Sequence, residues 1–449
     1  MGTTDGALIP HTLRPPRLVE GTELIGQYQD SGFTEPRYLA RRGDGQVVQL
    51  SELVYVLATL VDGRRGLEEL AAAFGGEIDR TVTGEQVRYL LDIKLRPPGL
   101  VAYDAEPASH APTRPDPLLM LKHRARLVPE HVVWVIAGVF RPLLAAPVVA
   151  ATLAGLAVVD ALVLAGGGWG QIAPSVRAIS DQPELTLLAL AVILAVGGFH
   201  ECGHAAACRY GGARPGVMGI GLYLVWPSFY STVTDVYRLG RVDRLRVDLA
   251  GVYFNAVAMT VIGTAYLITG TPWLLVTLVF LHVETMWQFI PSVRLDGYYI
   301  LADLIGVPDL FARLGPILHS ALPWRETHPR VAELKPWTRR IVASWVAVTI
   351  ACLGGLMIVF VRLAPQVLPA VWAAILDRLE AIATAVHTAH VAAVALGTVQ
   401  LVLLVLPYAG LTLIIVDLAR RLAEAGQSRV INRDRRGRAQ PPGATSRGR

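Results

Sequence analysis

Leu185-Thr186-Leu187-Leu188-Ala189-Leu190-Ala191-Val192-Ile193-Leu194-Ala195-Val196-Gly197-Gly198-Phe199-His200-Glu201-Cys202-Gly203-His204 decides how the rest of the chain is read. The uncharged run from Leu185 to Phe199 rises about 22 Å as a helix, most of the roughly 30 Å hydrocarbon core of a bilayer. Two histidines and a glutamate close it. Ionisable groups in an apolar helix are expensive and mark function more often than packing.

Helix positions i and i+4 lie about 40° apart, so both imidazoles of His200 and His204 can reach one metal ion. Glu201 stands beside them, placed to take a proton from a water held by that metal. Cys202 lies about 200° from His200 and is assigned to packing. The expected ion is Zn2+, which in catalytic sites takes three protein ligands and keeps an open position. Asp296, in Arg294-Leu295-Asp296-Gly297-Tyr298-Tyr299, is the best candidate third ligand, because it follows a later apolar run on the same side of the bilayer as His200. Glu284 competes for that place. It sits mid-run with His282 and Gln288, where hydrogen bonding between helices is the preferred reading. Asp160 is likewise read as a polar packing contact.

Working outward, the composition agrees with a membrane protein. The chain has 449 residues, 53% hydrophobic and 17% charged, and its mean hydropathy is +0.45. Six spans are expected, at about 143–165, 185–207, 247–269, 273–291, 341–361 and 391–417. Trp372, Ile375, Leu379, Ile382 and Val386 keep helical spacing, but Asp377, Arg378 and Glu380 interrupt them, so an interfacial helix is expected there. Leu121 to Arg141 mixes apolar and basic residues and is expected at the membrane surface. The first 30 residues show no apolar core followed by a cleavage site, which argues against a signal peptide. Cys202, Cys208 and Cys352 are too few and scattered for a disulfide framework.

Charge sets the orientation. The connection after the second span carries Arg209, Arg214, Arg238, Arg241, Arg244 and Arg246, and the one after the fourth carries seven basic residues from Arg294 to Arg340. Of the alternate connections, 166–184 has only Arg177 and 270–272 has no basic residue. Basic residues gather on the cytoplasmic side, so both termini are expected there. The net charge of +5 rests almost wholly on arginine. Beside so many apolar spans, the basic tail 419–449 fits an anionic membrane surface better than nucleic acid, and no nucleic-acid partner is expected. That tail is expected to be disordered.

Residues 17–104 read as a separate small domain. Tyr38-Leu39-Ala40-Arg41 and Gln46-Val47-Val48 flank Gly43-Asp44-Gly45, a hairpin signal. Ser51 starts a helix whose Leu53, Val56, Leu57 and Leu60 share a face. A second helix carries Leu67, Leu70 and Phe74. A third begins at Thr83 with Gln86 three residues on, a capping-box spacing, and Pro97-Pro98-Gly99 ends it. Leu100 to Tyr103 is expected to close the domain as a strand. Strands with three short helices suggest a winged-helix unit, and a proline-rich linker, 105–120, follows. The fold class expected is therefore a membrane all-α protein, with about six transmembrane helices around a membrane-embedded site in 121–418 and a small N-terminal α+β domain.

The His-Glu-Cys-Gly-His motif, the later Leu295-Asp296-Gly297 and the order of spans resemble the site-2 protease class of intramembrane zinc metalloproteases. The resemblance covers roughly residues 185 to 305. It implies that Asp296 is the third ligand and that Glu201 is catalytic. Ala250-Gly251-Val252-Tyr253-Phe254-Asn255 is similar to the class's Gly-Pro-x-x-Asn element, with Val252 in place of Pro. That implies a substrate-backbone contact for Asn255. Phe229-Tyr230-Ser231-Thr232-Val233-Thr234-Asp235 and Leu295 to Leu301 look like the bacterial peptide zinc metalloprotease branch, whose members accompany ribosomally made, modified peptides, including the daptide type. Leu50-Ser51-Glu52-Leu53 and Leu60-Val61-Asp62-Gly63 resemble PqqD-like domains, which bind a precursor's leader peptide as an added strand. The function this implies is leader removal from a peptide precursor at the bacterial cytoplasmic membrane. Cleavage of a membrane-bound regulator, or a non-proteolytic export or immunity role, are the alternatives. Substrate identity, cleavage position and oligomeric state are not encoded legibly.

Overall fold

The computed structural model describes residues 15–43, 46–103, 121–223, 226–322, 324–406, 408–410, 412 and 416. The linker 105–120, the hairpin tip at Asp44 and Gly45, and the tail 419–449 lie outside the described residues. The chain divides into two units: one runs through residue 120, 124–221 and 229–364, and the other takes 121–123, 222–228 and 365 onward.

The first unit opens with strands β1 (Arg17–Leu18), β2 (Glu23–Gln27), β3 (Arg37–Arg41) and β4 (Val47–Ser51). Helices α1 (Glu52–Leu60), α2 (Leu67–Ile78) and α3 (Gly84–Leu90) follow, then strand β5 (Val101–Ala102). β2, β3 and β4 form an antiparallel sheet in that order, and β1 pairs with β5. The capping box holds: Thr83 Oγ1 accepts from Gln86 N at 3.3 Å, and Thr83 N donates to Gln86 Oε1 at 3.0 Å. Helix α3 continues through one wider turn, Leu91–Leu95, to Arg96. The inward face of α1 is one residue off the expected one. Val54, Leu57, Ala58 and Val61 are buried, at i, i+3, i+4 and i+7, while Leu53 is exposed. Together with Leu70, Phe74, Val87, Leu91 and Leu95 they form one core.

After residue 120 come β6 (Leu121–Val128), α4 (Glu130–Phe140), α5 (Ala146–Ala165), α6 (Gly168–Ser180) and α7 (Pro183–Tyr210). Strands β7 (Met218–Tyr223) and β8 (Trp226–Ser231) join β6 in a three-stranded sheet, order β6-β7-β8. Next are α8 (Arg241–Thr269), α9 (Pro272–Gln288), α10 (Asp296–Ile305), α11 (Leu314–Ser320), α12 (Pro329–Ala332) and α13 (Pro336–His387). The last helix, α14, spans Val391–Gly410. Helices α5, α7 and α9 each carry proline in the first turn, where its missing N–H costs nothing.

Among the described residues five helices are long and apolar enough to cross a membrane: α5, α7, α8, residues Pro336–Leu363 of α13, and α14. The expected fourth span is α9, whose 17 residues rise only about 25 Å. The segment 121–141, expected to lie on the membrane surface, is a strand followed by a helix. The connection 166–184 holds α6, a helix with Pro174 inside it. The interfacial helix expected at 372–386 is not separate. Helix α13 runs on through Pro365 and Pro369 to His387, a proline tolerance that apolar helices show.

The second unit holds the end of α13 and α14, joined by a turn in which Ala389 takes φ +55°. Arg378 donates to Gln400 Oε1 at 3.0 Å across that pair.

In the first unit, α7 and α8 pack lengthwise. The rings of Phe199 of α7 and Phe254 of α8 meet tilted by 40° with centroids 4.6 Å apart, and Phe140 at the end of α4 meets both edge-on. Tyr253 donates to the Leu143 carbonyl at 2.8 Å. Residues before α10 are held by α13: Trp345 Nε1 donates to the Pro291 carbonyl at 2.8 Å, and Thr349 to Ser292 Oγ at 3.4 Å. These contacts hold α7 against α8, and the segment before α10 against α13.

Candidate metal centre

His200 and His204 sit one turn apart in the last third of α7, both buried. Their Nε2 atoms lie 3.0 Å apart. Asp296, the first residue of α10, brings Oδ2 to 3.2 Å from His200 Nε2 and Oδ1 to 3.6 Å from His204 Nε2. The Glu201 carboxylate lies within 4.8 Å of the ligand atoms of the histidine pair. The residues that the motif and Leu295-Asp296-Gly297 singled out are therefore together in space.

The hydrogen bonds on the far side of each ring decide what the Nε2 atoms carry. His204 Nδ1 is 2.8 Å from the Val247 carbonyl of α8, which can only accept, so Nδ1 holds the proton. His200 Nδ1 faces Asn255 Oδ1 at 3.3 Å. Asn255 is 1% exposed, and its Nδ2 lies 3.3 Å from Glu284 Oε2 and 3.1 Å from Thr285 Oγ1. A carboxylate accepts, so the amide nitrogen faces Glu284 and the oxygen faces His200. His200 thus also carries its proton on Nδ1. In the neutral ring each Nε2 is then left with its lone pair, the form that can ligate a metal.

In that form two lone pairs and a carboxylate converge on one place. Asp296 Oδ2 is buried 3.2 Å from His200 Nε2 and has no other polar partner among the described residues. Like-charged and lone-pair groups packed this closely repel unless a cation sits among them. The donor set, two imidazoles and a carboxylate, suits zinc. Gly251 of α8 completes the cradle. A Cβ there would fall well inside van der Waals contact with both Nε2 atoms, so only glycine lets α8 pass behind the rings.

The remaining sequence candidates take other places. Glu284 is held by Asn255 and by Gln288, so it supports His200 through the amide. His282 contacts Asp160 Oδ2 at 3.2 Å, joining α9 to α5. Cys202 stays out of the cluster and packs beside Val133, Ala137 and Met218. Asn255, for which resemblance implied a substrate contact, faces His200, Glu284 and Thr285. Sequence reading missed Val247, Gly251 and Thr285. A glycine in an otherwise bulky face of α8 was the available signal for the second.

Comparison with known proteins gives one curated relative. The chain is 27% identical over 112 residues, 24% of its own length, to "Putative peptide zinc metalloprotease protein YydH" of Bacillus subtilis (strain 168). The chain spans 44% of that protein, less than half of its length. No family model matches, and no solved structure matches. The similarity agrees with a protease family, and five apolar helices agree with a membrane protein.

Proposed function

We propose that the chain is a zinc metallopeptidase of the site-2 protease class, hydrolysing a peptide bond within the membrane. The observation that carries this reading is the convergence of His200 Nε2, His204 Nε2 and Asp296, with both Nδ1 protons pinned outward. The printed name of the Bacillus relative supports the same chemistry.

His200, His204 and Asp296 would hold the zinc, which when bound would supply Lewis acidity and lower the pKa of water toward neutrality. Glu201, next to the ligands on α7, takes the proton from the attacking water and passes it to the departing amine. Val247 and Asn255 keep the imidazoles in the ligating tautomer, and Glu284 holds the Asn255 amide in register. The apolar walls of α7, α8 and α9 exclude bulk water, which strengthens each of these polar contacts.

The substrate in this reading is the precursor of a ribosomally made, modified peptide, cut to release its leader. The N-terminal domain captures the leader as a PqqD-like module. β4 has one strand neighbour, β3, among the described residues, and an open edge accepts an extended peptide through main-chain hydrogen bonds. Counting α9 gives six crossings, and the arginine bias supports both termini in the cytoplasm of a bacterial cell.

Replacing Glu201 tests the reading most directly. Glu201→Gln retains zinc, because the ligands are untouched, but loses on the order of 100- to 10,000-fold in peptide hydrolysis. Metal analysis of detergent-purified protein, with mass spectrometry of incubated precursor peptides, measures both. Near-normal turnover by this variant removes Glu201 as the base.

A further inference from the structure

Asp296 begins α10, and the other end of that short helix is gripped by the N-terminal domain. Asp303 lies seven residues after Asp296, two turns on and on the same face. Its Oδ1 accepts from Arg244 Nε of α8 at 2.8 Å and from the Tyr28 hydroxyl at 3.1 Å. Arg244 is fully buried and stacks over the Tyr28 ring at 4.4 Å, and its other nitrogens reach the Leu239 carbonyl at 2.8 Å and the Gln29 carbonyl at 3.4 Å. Burial, and the Asp303 carboxylate beside it, hold the Tyr28 hydroxyl protonated far beyond its ordinary range, so it is a standing donor.

The segment after Tyr28 closes the end of α10. Gly306, at φ +70°, ends the helix, and its carbonyl accepts from Gly32 N at 2.9 Å. A Cβ on Gly306 would strike the Asp30 carbonyl, so the two backbones touch. Phe33 is buried with Tyr298, Ile305, Leu310 and Trp345, and it bridges to Leu334. Lys335 donates from N to the Gly32 carbonyl and from Nζ to the Ser31 carbonyl, both at 2.9 Å.

We infer that Tyr28 is a positioning residue for Asp296: through Asp303 and Arg244 the N-terminal domain sets where α10 lies, and with it the third metal ligand. This rests on the metal reading above. The physical ground is that metal sites demand placement within about 0.5 Å, and supporting contacts supply it. A helix of ten residues transmits a shift at Asp303 to Asp296 with little bending. The same α8 face carries Arg244, Val247 and Gly251, so the clamp also bears on the element behind both imidazoles.

Three variants of the full-length protein test it: Tyr28→Phe, which keeps the ring over Arg244, Asp303→Asn, and Arg37→Gln. The last breaks another contact between the domain and the core, the 2.9 Å Arg37–Glu333 pair, without touching Asp303. Zinc affinity is read by chelator competition, and ligand geometry by the visible absorption of the cobalt(II)-loaded protein. Outer-shell contacts govern roughly 10- to 100-fold in metal affinity; Tyr28→Phe, acting one step further out, is expected to lose about three- to tenfold and to shift the cobalt bands. Asp303→Asn loses more, and the double variant loses less than the product of the two. Arg37→Gln leaves affinity and bands unchanged. Unaltered zinc affinity and bands in Tyr28→Phe overturn the inference, as does equal loss in Arg37→Gln, which marks docking in general as the cause. Wild-type protein that binds no zinc overturns the metal reading itself, a result distinguishable from both.

Discussion

Two histidine–carboxylate contacts lie among the apolar helices, His200–Asp296 and His282–Asp160, and both measure 3.2 Å. Both histidines also spend Nδ1 on another acceptor, His200 on Asn255 and His282 on the Leu278 carbonyl at 2.9 Å. The distance alone therefore separates nothing. What differs is company and burial. His200 and Asp296 have side chains 7% and 16% exposed, with His204 Nε2 at 3.0 Å. His282 and Asp160 are 37% and 33% exposed, and no second imidazole meets them among the described residues. A lone pair of this kind ties two helices. A second bare nitrogen, held by its own acceptor, turns the contact into a place for a cation.

The largest expected effect breaks one side of that comparison and spares the other. His204→Ala loses zinc by more than the roughly 100-fold upper end of an outer-shell loss. His282→Ala keeps zinc and costs only about 0.6 kcal/mol in stability, the typical worth of an interhelical polar contact. Zinc content after dialysis, beside thermal unfolding of both variants, checks the pair. Equal zinc loss in the two would erase the distinction drawn here.

Asp296 and Glu284 sharpen it next. Asp296→Ala removes a donor that touches both rings, while Glu284→Ala removes a carboxylate two contacts away. Zinc retention falls further in Asp296→Ala, and the reverse order in chelator competition would move the third ligand to α9. A smaller loss than that of a ligand belongs to Asn255→Leu, which keeps the volume but frees His200 Nδ1. Affinity falls by about 10- to 100-fold, or about 1.4 to 2.8 kcal/mol. Isothermal titration with zinc measures it, and an unchanged constant removes Asn255 from the support of His200.

The metal helix was legible because its chemistry is local: one turn of one helix places His200, Glu201 and His204 together. Asp296 was legible through its neighbours Leu295 and Gly297 and its side of the membrane. The Thr83 capping box, the hairpin and the three small helices were legible for the same reason of short range. The misses are of two physical kinds. Strand β2 (Glu23–Gln27) has a register shift between Leu24 and Gly26 that spoils its alternation, and β1 is two residues long. The rest are contacts across the chain. Asn255 meets His200 from 55 residues away and Tyr28 meets Asp303 from 275 away, and no periodicity records either. For that reason residues 17–104 read as a separate small domain followed by a linker. Its buried seam with α8 and α10 predicts a cost to the metal site if the domain is removed.

Arg244 has a consequence for the order in which the protein is made. Its counter-charge, Asp303, comes 59 residues later in the chain, about 3 to 12 s later at ordinary rates of synthesis. Until then a guanidinium that ends fully buried lacks the carboxylate to which its Nε donates. Tyr28 and Gln29, by contrast, have long since left the ribosome in a domain whose core closes on itself. The aromatic face and the Gln29 carbonyl are thus the first partners on offer, and the domain made earliest shelters the charge until Asp303 is translated.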